Sequence, residues 1–375
     1  MEKSKVYFTD FRVRGFGDPL TKKLKDLAVK AGIGNIDMKG KFVAIKMHFG
    51  ELGNLSFLRP NYARAIVDLV REMGGTPYLT DCNTLYPGSR KNAVEHLYCA
   101  WENGFTPMTV NAPILIGDGL KGTDEAALPI AGGEYCKEAY IGRAVADADV
   151  LISLTHFKGH ENTGFGGTMK NIGMGCGSRR GKKEMHCSGH PTIEAEACRG
   201  CKLCQRQCAN NGLTFDPETK KMSVNENCLG CGRCIGACNF DAISFRNYDA
   251  AEVLCCRIAE YTKAVTDAMP SFHLSLVMDI SPNCDCHAEN DAPILPDIGM
   301  FASFDPVAID QACADACLAA EPLPNAQLSD IMAKPDFVDK HDHFDNCGAE
   351  SDWKAGMAHA EKIGLGSRAY ELIRM

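Results

Sequence analysis

The sequence predicts an α/β protein, with a mostly parallel sheet and flanking helices, that is interrupted by a small ferredoxin-like α+β insert. Three observations predict this fold class. Short apolar segments have the composition of buried strands, amphipathic segments with helical periodicity lie between them, and a cysteine-rich repeat interrupts the alternation. Alternating strands and helices favour a parallel sheet because each crossover helix returns the chain to the same end of the sheet.

Four segments have the composition of strands that are buried on both faces. They are rich in β-branched and apolar residues and do not alternate cleanly with polar ones, as expected when helices cover both sides of a sheet. The segments are FVAIKM at 42–47, TPYLT at 76–80, VLISL at 150–154 and LSLVM at 274–278.

Three other segments are predicted to be helices. Residues 61–73 carry an apolar stripe with helical spacing, and Gly74-Gly75 ends it. Residues 305–319 begin with Asp305 as N-cap and Pro306 in the first helical position. A third helix, at 250–265, begins where the alternation resumes after the cysteine-rich segment.

Composition and charge exclude several classes of protein. The 375 residues suffice for one large domain with a smaller one, and the net charge of −8 argues against a nucleic-acid partner, which would require a basic face. The N-terminal residues do not resemble a signal peptide, and no run of about 18 apolar residues predicts a membrane span. We therefore expect a cytoplasmic protein with no nucleic-acid or membrane partner.

The cysteine-rich segment is an internal repeat. Eight of the 20 cysteines lie between Cys198 and Cys238, and the pattern that starts at Cys198 recurs 30 residues later at Cys228. The repeat continues past the cysteines, because Leu213-Thr214-Phe215 matches Ile243-Ser244-Phe245. We predict an insert at 188–246 within a discontinuous α/β domain formed by 1–187 and 247–375.

The spacing C-x2-C-x2-C-x3-C, present twice, is typical of bacterial ferredoxins with two four-iron, four-sulfur (4Fe-4S) clusters. In that arrangement the fourth cysteine of each half ligates the cluster of the other half. Structural zinc would leave unpaired thiols, and disulfides between such close cysteines would be strained. The predicted ligands are Cys198, Cys201, Cys204 and Cys238 for the first cluster, and Cys228, Cys231, Cys234 and Cys208 for the second. Ala209 and Asn239 replace the proline that usually follows the fourth cysteine, without loss of a ligand.

Polar side chains follow each predicted strand. His48, Asp81, His156 and Asp279 all occupy such positions, with Thr155 beside His156. Ligands of open α/β sheets bind at the carboxyl ends of the strands, so these residues predict a pocket at that edge.

The glycine-rich stretch at 155–171 is the richest part of this predicted pocket. Its candidate catalytic residues are His156, Lys158, His160 and Lys170, which combine positive charge with proton-transfer capacity. Glycines and free N–H groups beside a helix start would suit an anion. We expect the clustered cations to depress the pKa values of the lysines. The alternative is a glycine-rich turn with solvated lysines and histidines.

A second cluster of functional residue types lies at 281–287, SPNCDCH. Cys284 and Cys286 could be soft metal ligands, a reactive thiol pair or unliganded loop thiols. The sequence leaves open whether a further metal lies near His160, His186 or these two cysteines.

These stretches resemble the family known as domain of unknown function 362, in its branch with iron–sulfur centres. The matching segments are 155–176, 278–287, 297–312 and the two-cluster repeat. The resemblance implies a ferredoxin insert on an α/β body and no settled reaction.

The glycine-rich stretch is also distantly similar to lactate racemase and its relatives. The matching residues are His160, Gly164-Phe165, Gly166-Gly167 and Lys170. In that family the lysine tethers a nickel pincer nucleotide and a later histidine, in the place of His186, ligates nickel. A prolyl-glycine pattern of that family is absent here, so the similarity implies a shared ancestral pocket rather than a shared cofactor.

Together these observations favour an iron–sulfur oxidoreductase in which two 4Fe-4S clusters exchange electrons with a small, anionic substrate at the sheet edge and with an unidentified redox partner. No dinucleotide-binding fingerprint follows a strand, so a nicotinamide cofactor is not predicted. The alternative is a non-catalytic electron-transfer protein, or a subunit of a complex, whose α/β body is a docking module.

Overall fold

The computed structural model describes residues 3–15, 17–86, 88–187, 189–208, 210–228, 230, 232–244, 249–348 and 351–375. Cys231, one of the predicted cluster ligands, lies outside the described residues, and so does Ala209.

The described strands form one large sheet and four two-stranded ribbons. In chain order they are β1 (Ser4–Thr9), β2 (Phe42–Lys46), β3 (Thr76–Asp81), β4 (Ile114–Ile116), β5 (Glu125–Pro129), β6 (Glu138–Gly142), β7 (Val150–His156), β8 (Lys158–His160), β9 (Gly164–Gly166), β10 (Thr192–Ile193), β11 (Leu213–Asp216), β12 (Lys221–Val224), β13 (Ile243–Ser244), β14 (Ser271–Val277), β15 (Gly299–Ser303) and β16 (Tyr370–Arg374).

The helices connect these strands and cover the sheet. They are α1 (Leu20–Lys30), α2 (Pro60–Glu72), α3 (Ala93–Glu102), α4 (Pro107–Val110), α5 (Arg143–Ala146), α6 (Thr168–Cys176), α7 (Arg179–His186), α8 (Leu203–Gln207), α9 (Arg233–Ala237), α10 (Ala251–Ala268), α11 (Pro306–Leu318), α12 (Gln327–Met332), α13 (His343–Cys347) and α14 (Trp353–Lys362), with a 3₁₀ turn at Ile33–Asn35.

The large sheet has the strand order β16-β1-β15-β14-β7-β2-β3-β4. All neighbours in it are parallel except the pairs that β15 makes with β14 and β1, so the predicted mostly parallel α/β fold is confirmed. The four strands predicted from composition are β2, β3, β7 and β14, and they lie side by side at the centre. Central strands are buried on both faces, which explains why their sequences show the strongest apolar signal.

Hydrophobic cores lie on both faces of the sheet. Along β2, Val43 and Ile45 face the core that contains α1 and α2, whereas Ala44 faces the core that contains α6, α10 and α11. Lys46 lies two residues after Ala44, so its side chain points to the same face of the sheet as that of Ala44. A charged side chain therefore lies on this apolar face, at the carboxyl end of the strand. It must therefore find a partner there.

The predicted helices are also present. Helix α2 begins at Pro60, and α11 begins after Asp305, whose carboxylate accepts hydrogen bonds from the N–H groups of Val307 (2.8 Å) and Ala308 (2.9 Å). Helix α10 begins at Ala251, directly after the cysteine-rich segment. No helix within the described ranges is long and apolar enough to cross a membrane.

The cysteine-rich segment has its own small ribbons and core. Strand β10 pairs with β13, and β11 pairs with β12. Its core contains Cys198, Cys204 and Cys234 together with Leu85 and Cys187 from the preceding part of the chain. The segment leaves and re-enters the body at adjacent positions, because the N–H of Asp249 donates to the carbonyl of His186 at 3.0 Å.

Close backbone contacts hold the cysteine loop at 281–287 against the glycine-rich stretch. The N–H of Gly159 donates to the carbonyl of Ser281 at 2.9 Å. A Cβ atom at Gly159 would lie 2.4 Å from the carbonyl oxygen of Pro282, so only glycine permits this approach. The two motifs that the sequence singled out separately are therefore neighbours.

Candidate functional site

A cavity of about 750 Å³ lies at the carboxyl ends of β2, β3 and β7. The structure brings the four candidate catalytic residues, His156, Lys158, His160 and Lys170, together in its lining, along with His48, Asp81 and Thr155. Asp279 is not in the lining. Its side chain is 30% exposed and its carboxylate lies 3.4 Å from Arg59. Of the polar groups predicted at the strand ends, Asp279 is thus the one that turns away.

A buried ion pair joins β2 to β3 at the floor of the cavity. Lys46 Nζ lies 3.0 Å from Asp81 Oδ1 and donates to Asn171 Oδ1 at 2.8 Å, and the Lys46 side chain is 1% exposed. Burial alone would raise the pKa of Asp81, but Lys46 and the neighbouring histidines lower it well below its usual range. Asp81 is therefore charged, and this pair also fixes helix α6 through Asn171.

His48 lies beside a second buried pair. Arg90 Nε donates to Glu51 Oε2 at 2.9 Å, and Arg90 Nη1 lies 2.9 Å from His48 Nε2. Burial and the Arg90 charge lower the pKa of His48 to about 3. His48 is therefore neutral at pH 7 and belongs to a rigid polar wall.

The third polar group is built around Asp285. His156 Nδ1 lies 2.9 Å from Asp285 Oδ2, and His156 Nε2 lies 2.7 Å from the carbonyl oxygen of Met278. Both ring nitrogens thus face acceptor oxygens. Lys158 Nζ lies 3.5 Å from Asp285 Oδ2. His156 and Lys158 therefore both contact the single carboxylate of Asp285.

Cys284 is surrounded by donors and cations. Its Sγ lies 3.6 Å from Lys170 Nζ, and Lys158, His160 and the Cys286 thiol are its other neighbours. A hydrogen bond from Cys286 and the charges of Lys170 and Lys158 lower the pKa of Cys284 well below its usual range, despite burial. The surroundings of Cys284 therefore favour its thiolate form.

The expectation that clustered cations depress the lysine pKa values is wrong for Lys170. Burial lowers its pKa, but the charges of Cys284, Cys286 and Glu161 raise it above the usual value. The sequence did not show that a thiolate, rather than another cation, faces this lysine.

The His160 ring bears on whether a metal could occupy this group. His160, Cys284 and Cys286 place their ligand atoms within 4.8 Å of one another, as do Glu161, Cys286 and His287. However, His160 Nδ1 accepts hydrogen bonds from the N–H groups of Asn162 (3.1 Å) and Thr163 (3.2 Å). Burial and Lys170 lower the pKa of His160, so the neutral ring carries its proton on Nε2. A metal ion would need a free lone pair on Nε2. A thiolate, in contrast, can accept a hydrogen bond from the Nε2–H.

An internal carboxylate occupies the start of helix α6, where the sequence suggested an anion site. Asp310 accepts hydrogen bonds from the N–H groups of Thr168 (2.6 Å) and Met169 (2.9 Å). Burial nevertheless raises the pKa of Asp310 to about 7. The helix start is therefore capped from within, and an anion in the cavity would contact lysine side chains of the lining, such as Lys158 and Lys170.

The cavity extends to the base of the cysteine-rich segment. Leu85, His186 and Asp249 are in its lining, and Leu85 also packs in the core of that segment. His186 Nε2 lies 3.1 Å from the hydroxyl of Tyr86, and the next residue, Cys187, packs with Cys198, Cys204 and Cys234. His186 and Lys170, which match the lactate racemase pattern, thus line the same cavity.

Four of the predicted cluster ligands surround a smaller cavity in the cysteine-rich segment. Cys198, Cys201, Cys204 and Cys238 all line it, and Cys238 comes from the other half of the repeat. The N–H of Met222 donates to Cys198 Sγ at 3.4 Å. Backbone donors that point at sulfur favour a ligated thiolate, so these residues fit an iron–sulfur cluster.

The described ligands of the second set have similar surroundings. The N–H of Gly212 donates to Cys208 Sγ at 3.1 Å, and that of Gly230 donates to Cys228 Sγ at 3.4 Å. A Cβ atom at Gly212 would lie 2.7 Å from Cys228 Cα, so this glycine lets the two halves of the repeat approach. Helix α9, which carries Cys234, packs against α7, which ends at His186.

Sequence reasoning missed several residues that shape the site. The buried charged residues of the site include Lys46, Arg90 and Asp285. Asp310 is buried as well and accepts hydrogen bonds at the start of helix α6, which carries Lys170. A lysine at the end of an apolar strand was a usable signal for Lys46, because a buried ammonium needs a partner.

The family model for the domain of unknown function DUF362 matches residues 43–315 of this chain. Among curated proteins, the indolepyruvate oxidoreductase subunit IorA of Thermococcus kodakarensis is 44% identical over 51 residues, 13% of this chain and 8% of that protein. A thylakoid-associated protein of Synechocystis is 26% identical over 154 residues, 39% of this chain and 42% of that protein. The chain thus spans less than half the length of these curated relatives.

Two solved structures resemble the fold at a distance. The lactate racemase apoprotein from Thermoanaerobacterium thermosaccharolyticum is 14% identical with a TM-score of 0.36, over 74% of this chain and 51% of that one. A protein from Thermotoga maritima is 12% identical with a TM-score of 0.38, over 82% of this chain and 60% of that one.

The lowered pKa of Cys284 generates a testable pH dependence. Its thiolate persists above the lowered folded pKa and is lost only as the pH falls through that value, whereas an ordinary cysteine loses its thiolate below about pH 8.5. Alkylation of Cys284 by iodoacetamide, followed by peptide mass spectrometry, should therefore be nearly constant in rate between about pH 9 and pH 7. Lys170→Met should raise the pKa of Cys284 and slow the reaction at pH 7 by about tenfold, because most of the thiol is then protonated.

The exposed Lys362, whose ammonium pairs with Glu134 at the surface, supplies the control. Lys362→Met should leave the alkylation rate unchanged. A rate for native Cys284 that falls about tenfold from pH 8 to pH 7, as for a free thiol, would contradict the thiolate assignment.

Proposed function

We propose that this chain, which belongs to the domain of unknown function 362 family, is an iron–sulfur oxidoreductase in which two 4Fe-4S clusters exchange electrons with a small anionic substrate in the 750 Å³ cavity. Residues 188–246 are the cluster-binding unit, and the discontinuous α/β body at 1–187 and 247–375 holds the substrate. An unidentified redox partner exchanges electrons with the clusters.

The connection between cavity and cysteine-rich segment carries this proposal. His186 lines the cavity, and its covalent neighbour Cys187 packs among Cys198, Cys204 and Cys234. Leu85 contacts both sides of this boundary. A site used only for docking would not require a polar cavity that extends to the base of the cysteine-rich segment.

The predicted ligands support the cofactor assignment. The doubled cysteine spacing, the cavity lined by Cys198, Cys201, Cys204 and Cys238, and the N–H groups directed at cysteine sulfur all suit 4Fe-4S clusters. The partial similarity to a subunit of an oxidoreductase agrees with a redox role. When bound, the clusters supply one-electron transfer.

The cavity residues would bind and orient the substrate. Lys158 and His156 both contact the carboxylate of Asp285, and Lys170 lies beside Cys284, so Lys158 and Lys170 are the ammonium groups that would contact an anion on this wall. His160 presents its Nε2–H at the same wall, where it can donate a hydrogen bond to a substrate atom that gains negative charge. Lys46 and Arg90 are bound to carboxylates and keep the floor rigid.

The first experiment measures the clusters. Protein purified anaerobically should contain about eight iron and eight sulfide per chain, and dithionite should bleach its visible absorption. Cys204→Ser should lower the iron content towards about four per chain because it removes one ligand of the first cluster. The matched control is Cys347→Ser, outside the motif, which should leave the iron content unchanged. Colourless protein with zinc in place of iron would contradict the proposal.

The second experiment measures anion binding by calorimetry, with phosphate, acetate and oxalate as probes. Lys158→Ala and Lys170→Ala should each weaken binding about 10- to 100-fold, since a hydrogen bond to a charged group contributes about 1.5–3 kcal/mol. The surface variant Lys362→Ala should bind as the native protein does. Equal affinity in all four proteins would favour the electron-carrier alternative, because a carrier needs no anion site.

A further inference from the structure

Two cysteines in the cavity wall have no redox role in the function proposed above. Cys284 and Cys286 both line the cavity, and their Sγ atoms lie within 4.8 Å of each other. Cys284 is almost fully buried and Cys286 is partly exposed. A thiolate beside a thiol, facing a cavity that reaches the cysteine-rich segment, is an arrangement that can store electrons.

The loop that carries the two thiols is held rigidly. Asp285, which separates them, binds His156 and Lys158 through its side chain, and its carbonyl accepts a hydrogen bond from the N–H of Glu51 at 2.9 Å. The N–H of His287 donates to the carbonyl of Cys284 at 3.1 Å. Hydrogen bonds thus hold the backbone on both sides of the two thiols.

The neighbours of Cys284 favour a redox thiol over a metal ligand. Lys170 Nζ lies 3.6 Å from Cys284 Sγ, so its charge would oppose a metal ion bound to that sulfur. The His160 ring presents Nε2–H to this group, because its Nδ1 already accepts two backbone hydrogen bonds. Each of these groups stabilises a thiolate and would repel a metal ion or lack a lone pair for it.

We propose that Cys284 and Cys286 form a dithiol/disulfide couple that exchanges two electrons with the clusters. In the reductive direction the Sγ–Sγ bond would break as it gains two electrons, one from each of the two 4Fe-4S clusters that the cysteine-rich segment would hold. One proton is taken up, which leaves Cys284 as thiolate and Cys286 as thiol. The oxidative direction is the reverse. This inference rests on the proposed function. The dithiol pair would store two electrons between the clusters, which transfer one electron each, and the substrate.

The geometry indicates a disulfide that is readily reduced. A disulfide between residues two apart closes a small ring, and departure from the usual disulfide geometry makes the bond more reducible. Lys170, Lys158 and His160 stabilise the thiolate product, which favours the reduced form further. When the protein is titrated with a reductant, the disulfide should therefore be reduced before the clusters stay reduced.

The test is an anaerobic reductive titration of the full chain. Protein with intact clusters is oxidised with diamide, desalted, and titrated with dithionite while the visible absorption of the clusters is followed. The native protein should take up about two electron equivalents per chain before the clusters bleach, because one disulfide accepts two electrons. Cys286→Ser should bleach from the first equivalent, and the control Cys347→Ser should behave as the native protein does.

Alkylation and rapid mixing supply independent readouts. Mass spectrometry of alkylated chymotryptic peptides should show a bond between Cys284 and Cys286 before the titration and two free thiols after the first two equivalents. In rapid mixing with limiting dithionite, the clusters should bleach and then recover at a rate independent of protein concentration, as electrons pass to the disulfide.

The failure of this inference differs from the failure of the proposed function. Bleaching from the first equivalent in native protein with full iron content would overturn the dithiol couple and leave the iron–sulfur assignment intact. Zinc bound at Cys284 and Cys286, protecting both from alkylation, would also overturn it. Protein without iron would overturn both.

Discussion

The site depends on one physical constraint, which is that charge buried at the carboxyl end of the sheet must be paired. Lys46 enters an apolar face of β2 and is stabilised by Asp81 on the neighbouring strand and by Asn171 on helix α6. Removing one partner of such a buried pair typically costs about 3–5 kcal/mol, because the other charge is left uncompensated. The pair thus fixes two central strands and the helix that carries Lys170 in one geometry. Everything else in the cavity wall is arranged around this fixed floor.

The same constraint accounts for the Cys284 thiolate. A buried thiol is normally protonated, and burial does raise the pKa of Cys82 and Cys176 nearby. Cys284 differs because its loop approaches Lys158, His160 and Lys170, an approach that Gly159 makes sterically possible. Positive charge that would be costly alone becomes stable when it faces a thiolate, and the thiolate in turn keeps Lys170 protonated. The pairing of buried charges therefore both lowers the pKa of Cys284 and stabilises the buried lysine beside it.

Local sequence predicted the fold class and most of the cavity wall. The central strands were recognisable because both of their faces are buried, and His48 and His156 were found because they follow such strands. The same reasoning failed for Asp279, where a positive φ of 44° turns the chain away and Arg59 binds the side chain. Asp310 could not be linked to the glycine-rich stretch from sequence, because it lies 142 residues beyond the N–H group that it binds. Long-range pairings of this kind also decided the pKa of Lys170, which local patterning predicted in the wrong direction.

The central claim is that the cavity adjoins the clusters closely enough for charges in its wall to act on them electrostatically. The midpoint potentials of the clusters test this claim most directly. Lys158→Met removes one buried positive charge from the cavity wall and leaves Asp285 paired with His156. If the cavity adjoins the clusters, this change should lower a cluster potential, since reduction adds negative charge that Lys158 no longer stabilises. Lys362→Met, at the solvent-exposed surface, should have no effect. Identical potentials in the native protein and in both variants would contradict the account.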